Sequence, residues 1–199
     1  MTLDEARSSV SRLAHQLANG YYAFVVAHYV AVNPLSINAL PPAKEPGQNP
    51  TGQLPRKDGT FHTIDLRHYL DLLREDFDLQ GHVLRAWATG ALLTLGDALD
   101  KDKRNYFDRA PVLELVYHLR NGIAHGNRFT IKDSGKKRLA NYPAHNGQAA
   151  VRSPGAVFEI TSETTGPVLF DFLGPADVID LLQSVEIHLS KPAPAGHSG

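Results

Sequence analysis

Apolar residues recur at intervals of three and four along several segments of this 199-residue chain, and no other feature constrains the fold more. With about 3.6 residues per turn, this spacing places apolar side chains on one face of a helix. The longest such pattern begins at Leu3 and continues beyond Phe24. It predicts helices over residues 3–32, 63–77, 82–99, 111–125 and about 174–190. The chain is therefore expected to be mainly α, an antiparallel bundle of four to five helices.

Two regions interrupt the helical pattern. Residues 34–60 contain six prolines among glycine, asparagine and lysine, which predicts an extended or disordered loop. After the fourth helix, short segments alternate or are rich in Val, Phe and Ile: residues 128–132, 156–161 and 167–172. These segments predict a small β hairpin or three-stranded appendage over about residues 127–172, with a polar insertion between the first two strands. Residues 191–199 are expected to form a disordered tail.

Composition narrows the class of protein. A hydrophobic content of 42% is enough for one well-buried domain over residues 1–199. A net charge of -1 neither demands nor excludes nucleic acid. The absence of cysteine excludes disulfides, thiolate catalysis and cysteine zinc sites, and it suits the cytoplasm. The most apolar run, YYAFVVAHYVAV, is too short to cross a membrane, so no membrane association is expected.

The fourth helix lies within the stretch PVLELVYHLRNGIAHGNRF. At about 100° per residue, its aliphatic residues fall on one stripe of a helical wheel. Six polar or aromatic residues fall on the opposite side: Glu114, Tyr117, His118, Arg120, Asn121 and His125. The wheel therefore predicts that the chemically versatile groups face away from the helix's own core. A simpler interpretation is a helix end closed by Gly126, with Arg and His attracted to the negative end of the helix dipole.

The segment Arg120-Asn121-Gly-Ile-Ala-His125, at the end of the fourth helix, resembles the R-polar-x3-H signature of the HEPN superfamily (higher eukaryote and prokaryote nucleotide binding). The resemblance implies a HEPN-like helical bundle and metal-independent RNA cleavage, without a cofactor, at the interface of a homodimer. Both subunits would then contribute their Arg and His. Besides RNA and a second copy of the chain, an antitoxin or a nucleotidyltransferase is a candidate partner.

Residue chemistry agrees with these roles. His125 has an imidazole that can accept or donate a proton near neutral pH, so it is the candidate acid or base. Arg120 is the candidate clamp, because a guanidinium can donate two hydrogen bonds to a phosphate. Asn121 lies one turn before His125 and is the candidate orienting residue. For Glu114, Tyr117 and His118 the wheel leaves two alternatives open: they line a cleft or are solvated.

A basic stretch follows the motif. Its cations are Arg128, Lys132, Lys136, Lys137, Arg138 and Arg152, and Asp133 is the only acid from residue 128 to 152. The first five are candidate contacts for an RNA backbone. The alternative is a solvated loop that keeps the protein soluble. The histidines show no recognisable zinc spacing, so no metal site is expected.

Three functions remain at this stage. The first is a HEPN endoribonuclease acting as a toxin, in defence or in RNA processing. The second is a non-catalytic HEPN module that binds RNA, a nucleotide or a protein partner such as a nucleotidyltransferase. The third is a helical dimerisation protein with no affinity for nucleic acid.

Overall fold

A computed structural model describes residues 2–147 and 157–191, and these ranges are mainly helical. The α-helices are α1 (Leu3–Val32), α2 (Leu66–Glu75), α3 (Phe77–Asp100), α4 (Pro111–Ala124), α5 (Asp133–Asn141) and α6 (Pro175–Ser190). The strands are β1 (Thr51–Pro55), β2 (Phe61–Asp65), β3 (Arg128–Phe129), β4 (Ala144–His145), β5 (Glu159–Ile160) and β6 (Gly166–Pro167). No helix in these ranges has the length and apolar character needed to span a membrane.

The chain divides into two compact units. One comprises residues 1–22 and 85–199, and the other comprises residues 23–84. That the whole chain acts as a single domain stays a prediction. Residue 156 of the second expected strand, Arg152 of the basic stretch and residues 192–199 of the expected tail lie outside the described residues.

The smaller unit contains the proline-rich segment, where the prediction of an extended or disordered loop was wrong for residues 34–39 and 51–55, whereas residues 40–50 and 56–60 contain no helix or strand. A 3₁₀ turn, Pro34–Ala39, begins where the Leu35 N–H donates to the side chain of Asn33 at 2.9 Å. Strands β1 and β2 then pair as an antiparallel hairpin. Its turn contains Gly59 at a φ of +83°, which glycine adopts readily. Pro55 is tolerated in β1 because the hairpin has only two strands, both of them edges.

The helix expected over residues 63–77 begins later, at Leu66. Asp65 caps it by accepting the His68 N–H at 2.9 Å, and Thr63 belongs to strand β2 instead. The next helix starts at Phe77, four residues before Gly81, because the Asp76 carboxylate accepts the Leu79 N–H at 2.9 Å and supports that start.

The larger unit has its core around α4. The predicted aliphatic stripes are confirmed there, since the following side chains are at most 2% exposed: Val10, Ala14, Leu92, Leu95, Leu115, Val116, Leu119, Val178, Leu182 and Val185. They come from α1, α3, α4 and α6. Helix α4 also contacts the short strands β3 and β4. Helix α4 is consequently in contact with other elements on several sides. Its single apolar stripe predicted burial on one side alone.

The region between α4 and α6 differs from the predicted hairpin or three-stranded appendage. Its described residues, up to 147 and from 157, hold two separate antiparallel pairs, β3 with β6 and β4 with β5. The supposed polar insertion contains helix α5, which has no fully buried residue of its own. Its sequence carries no apolar stripe, so periodicity could not predict it.

Candidate functional site

Helix α4 ends in a tight turn that leads into β3. The His125 N–H donates to the Asn121 carbonyl at 3.1 Å, and the Gly126 and Asn127 N–H groups both donate to the Ile123 carbonyl at 3.3 Å. Gly126 and Asn127 then take φ values of +88° and +59°. The Asn127 side chain fixes this turn by accepting the Leu169 N–H at 2.8 Å. The predicted helix exit at Gly126 is confirmed, and His125 stands exposed at the end of the helix.

Arg120 points towards α3. Its Nε and Nη2 donate to one carboxylate oxygen of Asp97 at 3.1 and 2.8 Å, and Nη1 donates to Asn121 Oδ1 at 3.4 Å. The hydrogen bonds from Arg120 to Asp97 raise the pKa of the guanidinium above its ordinary value. The side chain of Arg120 remains 34% exposed. Asp97 therefore orients the guanidinium of Arg120. Its Nη1 group still points towards Asn121.

Gly96 makes this arrangement possible. An added Cβ at Gly96 would lie 2.5 Å from Arg120 Cγ, so only glycine lets the arginine stem rest against α3. Sequence reasoning missed both Gly96 and Asp97. A glycine inside an otherwise apolar helix was the available signal, because such a residue often marks a close approach.

A cleft of about 320 Å³ opens beside the end of α4. Its lining comes from the end of α4, strand β3 and the beginning of α5, and comprises Tyr117, His118, Asn121, Gly122, His125, Arg128, Phe129, Thr130, Ile131, Lys132, Ser134 and Gly135. Asn121 and His125 thus share one open space. Arg120 adjoins it through Asn121 and does not line it.

Glu114 and Arg138 form a buried ion pair below this cleft. Glu114 is fully buried, and Arg138 donates to its carboxylate through Nε at 2.5 Å and Nη2 at 2.8 Å. The guanidinium also stacks on Tyr117, 3.6 Å from the ring centroid. Burial lowers the pKa of Arg138, but the hydrogen bonds and charge of Glu114 outweigh burial and raise it above its ordinary value.

This pair corrects three expectations. The side of α4 that carries Glu114 and His118 does not face solvent: both residues are buried, and Arg138 and Gly135 of α5 lie against them. Arg138 was expected to contact an RNA backbone, but its guanidinium is occupied by Glu114 and Tyr117. The proposal that Glu114 lines the cleft is also wrong, whereas Tyr117 and His118 do line it.

His118 is buried at the edge of the cleft. The residue is 5% exposed, and its Nε2 atom has no hydrogen-bond partner within the part of the chain that the structure describes. Burial, reinforced by the charge of Arg138, lowers the pKa of His118 to about 4. Its imidazole is consequently neutral at physiological pH.

The remaining cations of the basic stretch are exposed. Arg128 and Lys132 line the cleft, whereas Lys136 and Lys137 lie on α5 away from the lining. Across residues 2–147 and 157–191 none of the four forms a salt bridge. In those ranges no group of three or more His, Asp or Glu side chains is arranged to hold a metal ion.

Comparison of the chain with protein-family models, with curated proteins and with solved structures finds no match.

Proposed function

We propose that this protein is a metal-independent endoribonuclease of the HEPN type, acting on RNA in the cytoplasm as a toxin, in defence or in RNA processing. The observation that carries the proposal is the open cleft shared by His125, Asn121 and two exposed cations, Arg128 and Lys132. An exposed imidazole next to unpaired positive charge is suited to proton transfer at a phosphodiester.

The proposed reaction is attack by a ribose 2'-oxygen on the adjacent phosphorus. One imidazole takes the 2'-hydroxyl proton as the new P–O bond forms, and a second gives a proton to the 5'-oxygen as the P–O5' bond breaks. The products are a 2',3'-cyclic phosphate and a 5'-hydroxyl, so atoms and charge balance without an external reactant. His125 of each of two chains would supply one of these imidazoles, which makes the composite site a property of the homodimer.

Asn121 and Arg120 support this step. The Asn121 Oδ1 accepts from Arg120 Nη1, so the guanidinium and the amide are linked at the edge of the cleft. Asp97 occupies two donors of Arg120 and leaves others for a phosphate oxygen. Arg120 would stabilise the charge that develops on the attacked phosphate.

A second candidate function is a non-catalytic module that binds RNA, a nucleotide or a protein partner such as an antitoxin or a nucleotidyltransferase. The double hydrogen bond between Arg120 and Asp97 favours it, because this contact satisfies part of the fork that a catalytic clamp needs. In that case RNA binding persists in the His125→Ala and Arg120→Ala variants, and no RNA is cut.

The test is cleavage of single-stranded RNA and transfer RNA by purified protein in EDTA. Wild type is expected to cut, and His125→Ala is not. His82→Ala is the matched control, because His82 is an exposed histidine in α3 and should keep full activity. Intact RNA with wild type, or equal cutting by His125→Ala, would reject the enzyme. Sedimentation at the assay concentration tests the dimer, and an active monomer would reject the composite site.

A further inference from the structure

His118 is a cleft residue that the proposed cleavage does not use. Its Nε2 atom is buried and has no hydrogen-bond partner in the described ranges, although the ring lines an open cleft. A buried polar atom left unpaired costs about 1–3 kcal/mol. In its Nε2-protonated tautomer, the neutral imidazole would remove this cost by donating to a ligand oxygen that reaches Nε2 from the cleft.

The first turn of α5 forms the wall beside this imidazole. Ser134 and Gly135 line the same cleft, and a Cβ added at Gly135 would lie 3.8 Å from His118 Cε1. Lys132 occupies the N-cap position and provides no side-chain cap hydrogen bond. The N–H groups of a first helical turn have no partner within the helix, and they carry partial positive charge.

The charged side chains that line this end of the cleft are positive. Arg128 and Lys132 line the cleft and form no salt bridge among the described residues. The nearest buried carboxylate, Glu114, is neutralised by Arg138. Asp133 is the acid in the first turn of α5, but its residue is exposed and is not among those that line the cleft. An anion here would therefore meet attraction without a facing carboxylate.

We propose that the α5 end of the cleft is a phosphate subsite, distinct from the catalytic group at His125. His118 Nε2–H and the first-turn N–H groups of α5 donate to phosphate oxygens, and Arg128 and Lys132 supply the countercharge. The identity of the ligand as an RNA phosphate rests on the proposed function, whereas the subsite itself rests on His118 and α5. The phosphate belongs either to a backbone diester or to a 5'-terminal monoester.

Binding is measured by NMR titration of histidine-labelled protein with inorganic phosphate at low ionic strength. The His118 ring resonances, assigned by their absence in His118→Gln, are expected to shift in a saturable way. His118→Gln keeps an N–H donor at nearly the same reach and should retain affinity within about threefold. His118→Leu removes the donor and should weaken phosphate binding about tenfold.

Comparison of two lysine variants shows whether phosphate binds at a local subsite or is attracted by the general positive charge of the protein. Lys132 lines the cleft, and Lys137 is an exposed lysine of α5 outside the lining. Lys132→Ala should weaken phosphate binding by about three- to tenfold, and Lys137→Ala by less than about twofold. Circular dichroism confirms that each variant keeps its helical content.

Two uncleavable 2'-O-methyl oligonucleotides identify the source of the phosphate. A terminal subsite binds the 5'-phosphorylated form at least about tenfold tighter than the 5'-hydroxyl form, and a diester subsite binds both equally. In either case His118→Leu must weaken the binding.

The proposal is overturned if phosphate leaves the His118 resonances unmoved, or if His118→Leu and Lys137→Ala have equal effects on affinity. These results are independent of the cleavage assay. RNA cutting without a His118 response rejects the subsite alone, and a His118 response without cutting rejects the enzyme alone.

Discussion

The buried pair of Glu114 and Arg138 makes the sharpest prediction about stability. Glu114→Gln keeps the side-chain volume but replaces one acceptor oxygen by an NH2 donor that faces Arg138. One of the two hydrogen bonds, at 2.5 and 2.8 Å, is lost, and the guanidinium keeps a charge that nothing neutralises. Glu114 is fully buried and Arg138 only 14% exposed, so water can replace little of this loss. We expect a decrease in the free energy of unfolding of about 3 kcal/mol.

Urea unfolding, followed by circular dichroism and by Trp87 fluorescence, measures this change. Arg138 is a main anchor of α5, so the loss can also appear as detachment of this helix alone, and hydrogen exchange of the α5 amides detects that outcome. Glu159→Gln, an exposed glutamate in β5, is the control and should change stability by less than about 0.5 kcal/mol. The double variant Glu114→Leu with Arg138→Met should recover most of the loss, because neither a charge nor an unpaired polar group stays buried.

The reasoning is refuted if Glu114→Gln lowers stability by less than about 1 kcal/mol and leaves exchange in α5 unchanged. That result would mean that the pair does not hold α5 against α4.

Three further predictions concern the frame around the site. Gly96→Ala forces a Cβ to within 2.5 Å of Arg120 Cγ and should cost about 1–3 kcal/mol by thermal unfolding, whereas Gly90→Ala in the same helix has no atom within 4 Å and should be neutral or stabilising. Gly122→Ala meets a buried side chain at 2.6 Å and should cost a similar amount, checked by urea unfolding. Asp108 is the third case: burial raises its pKa, but hydrogen bonds from His188, the Ala110 N–H and Arg7 outweigh burial and lower it to about 2. The stabilising effect of the Asp108 carboxylate is therefore present above about pH 4 and disappears as pH falls towards 2. Relative to Asp108→Asn, it should add about 1–2 kcal/mol to the free energy of unfolding, after allowance for solvent screening. A difference between the two proteins that does not change with pH would contradict this.

The long helices were predictable because their signal is local. The stripe of α1 repeats every three or four residues, so its bounds follow from adjacent turns of the same segment. The end of α4 was predictable for the same reason, since Gly126 supplies the left-handed residue that closes a helix. Asn121 and His125 share a cleft, as the wheel and the motif indicated.

The parts that could not be predicted depend on partners distant in sequence. Helix α5 has no apolar stripe, and it is fixed by Arg138 reaching Glu114, 24 residues away. Arg120 is directed by Asp97, 23 residues away. A helical wheel places side chains around one axis and carries no information about what packs against them. The wheel therefore separated the polar from the apolar side chains of α4 correctly. It did not show whether a polar side chain such as Glu114 faces solvent or forms a buried ion pair.

The most direct test of the central claim is the identity of the RNA ends made in EDTA, together with the rate of their formation. Wild type should leave 2',3'-cyclic phosphate and 5'-hydroxyl ends and should not cut the same strand with 2'-deoxyribose. His125→Ala removes both the acid and the base of the homodimer, so cutting should be slower by at least about 10²–10⁴-fold, the usual contribution of one such group. Cutting of the deoxy strand, 5'-phosphate ends, or an unchanged rate in His125→Ala would contradict the account.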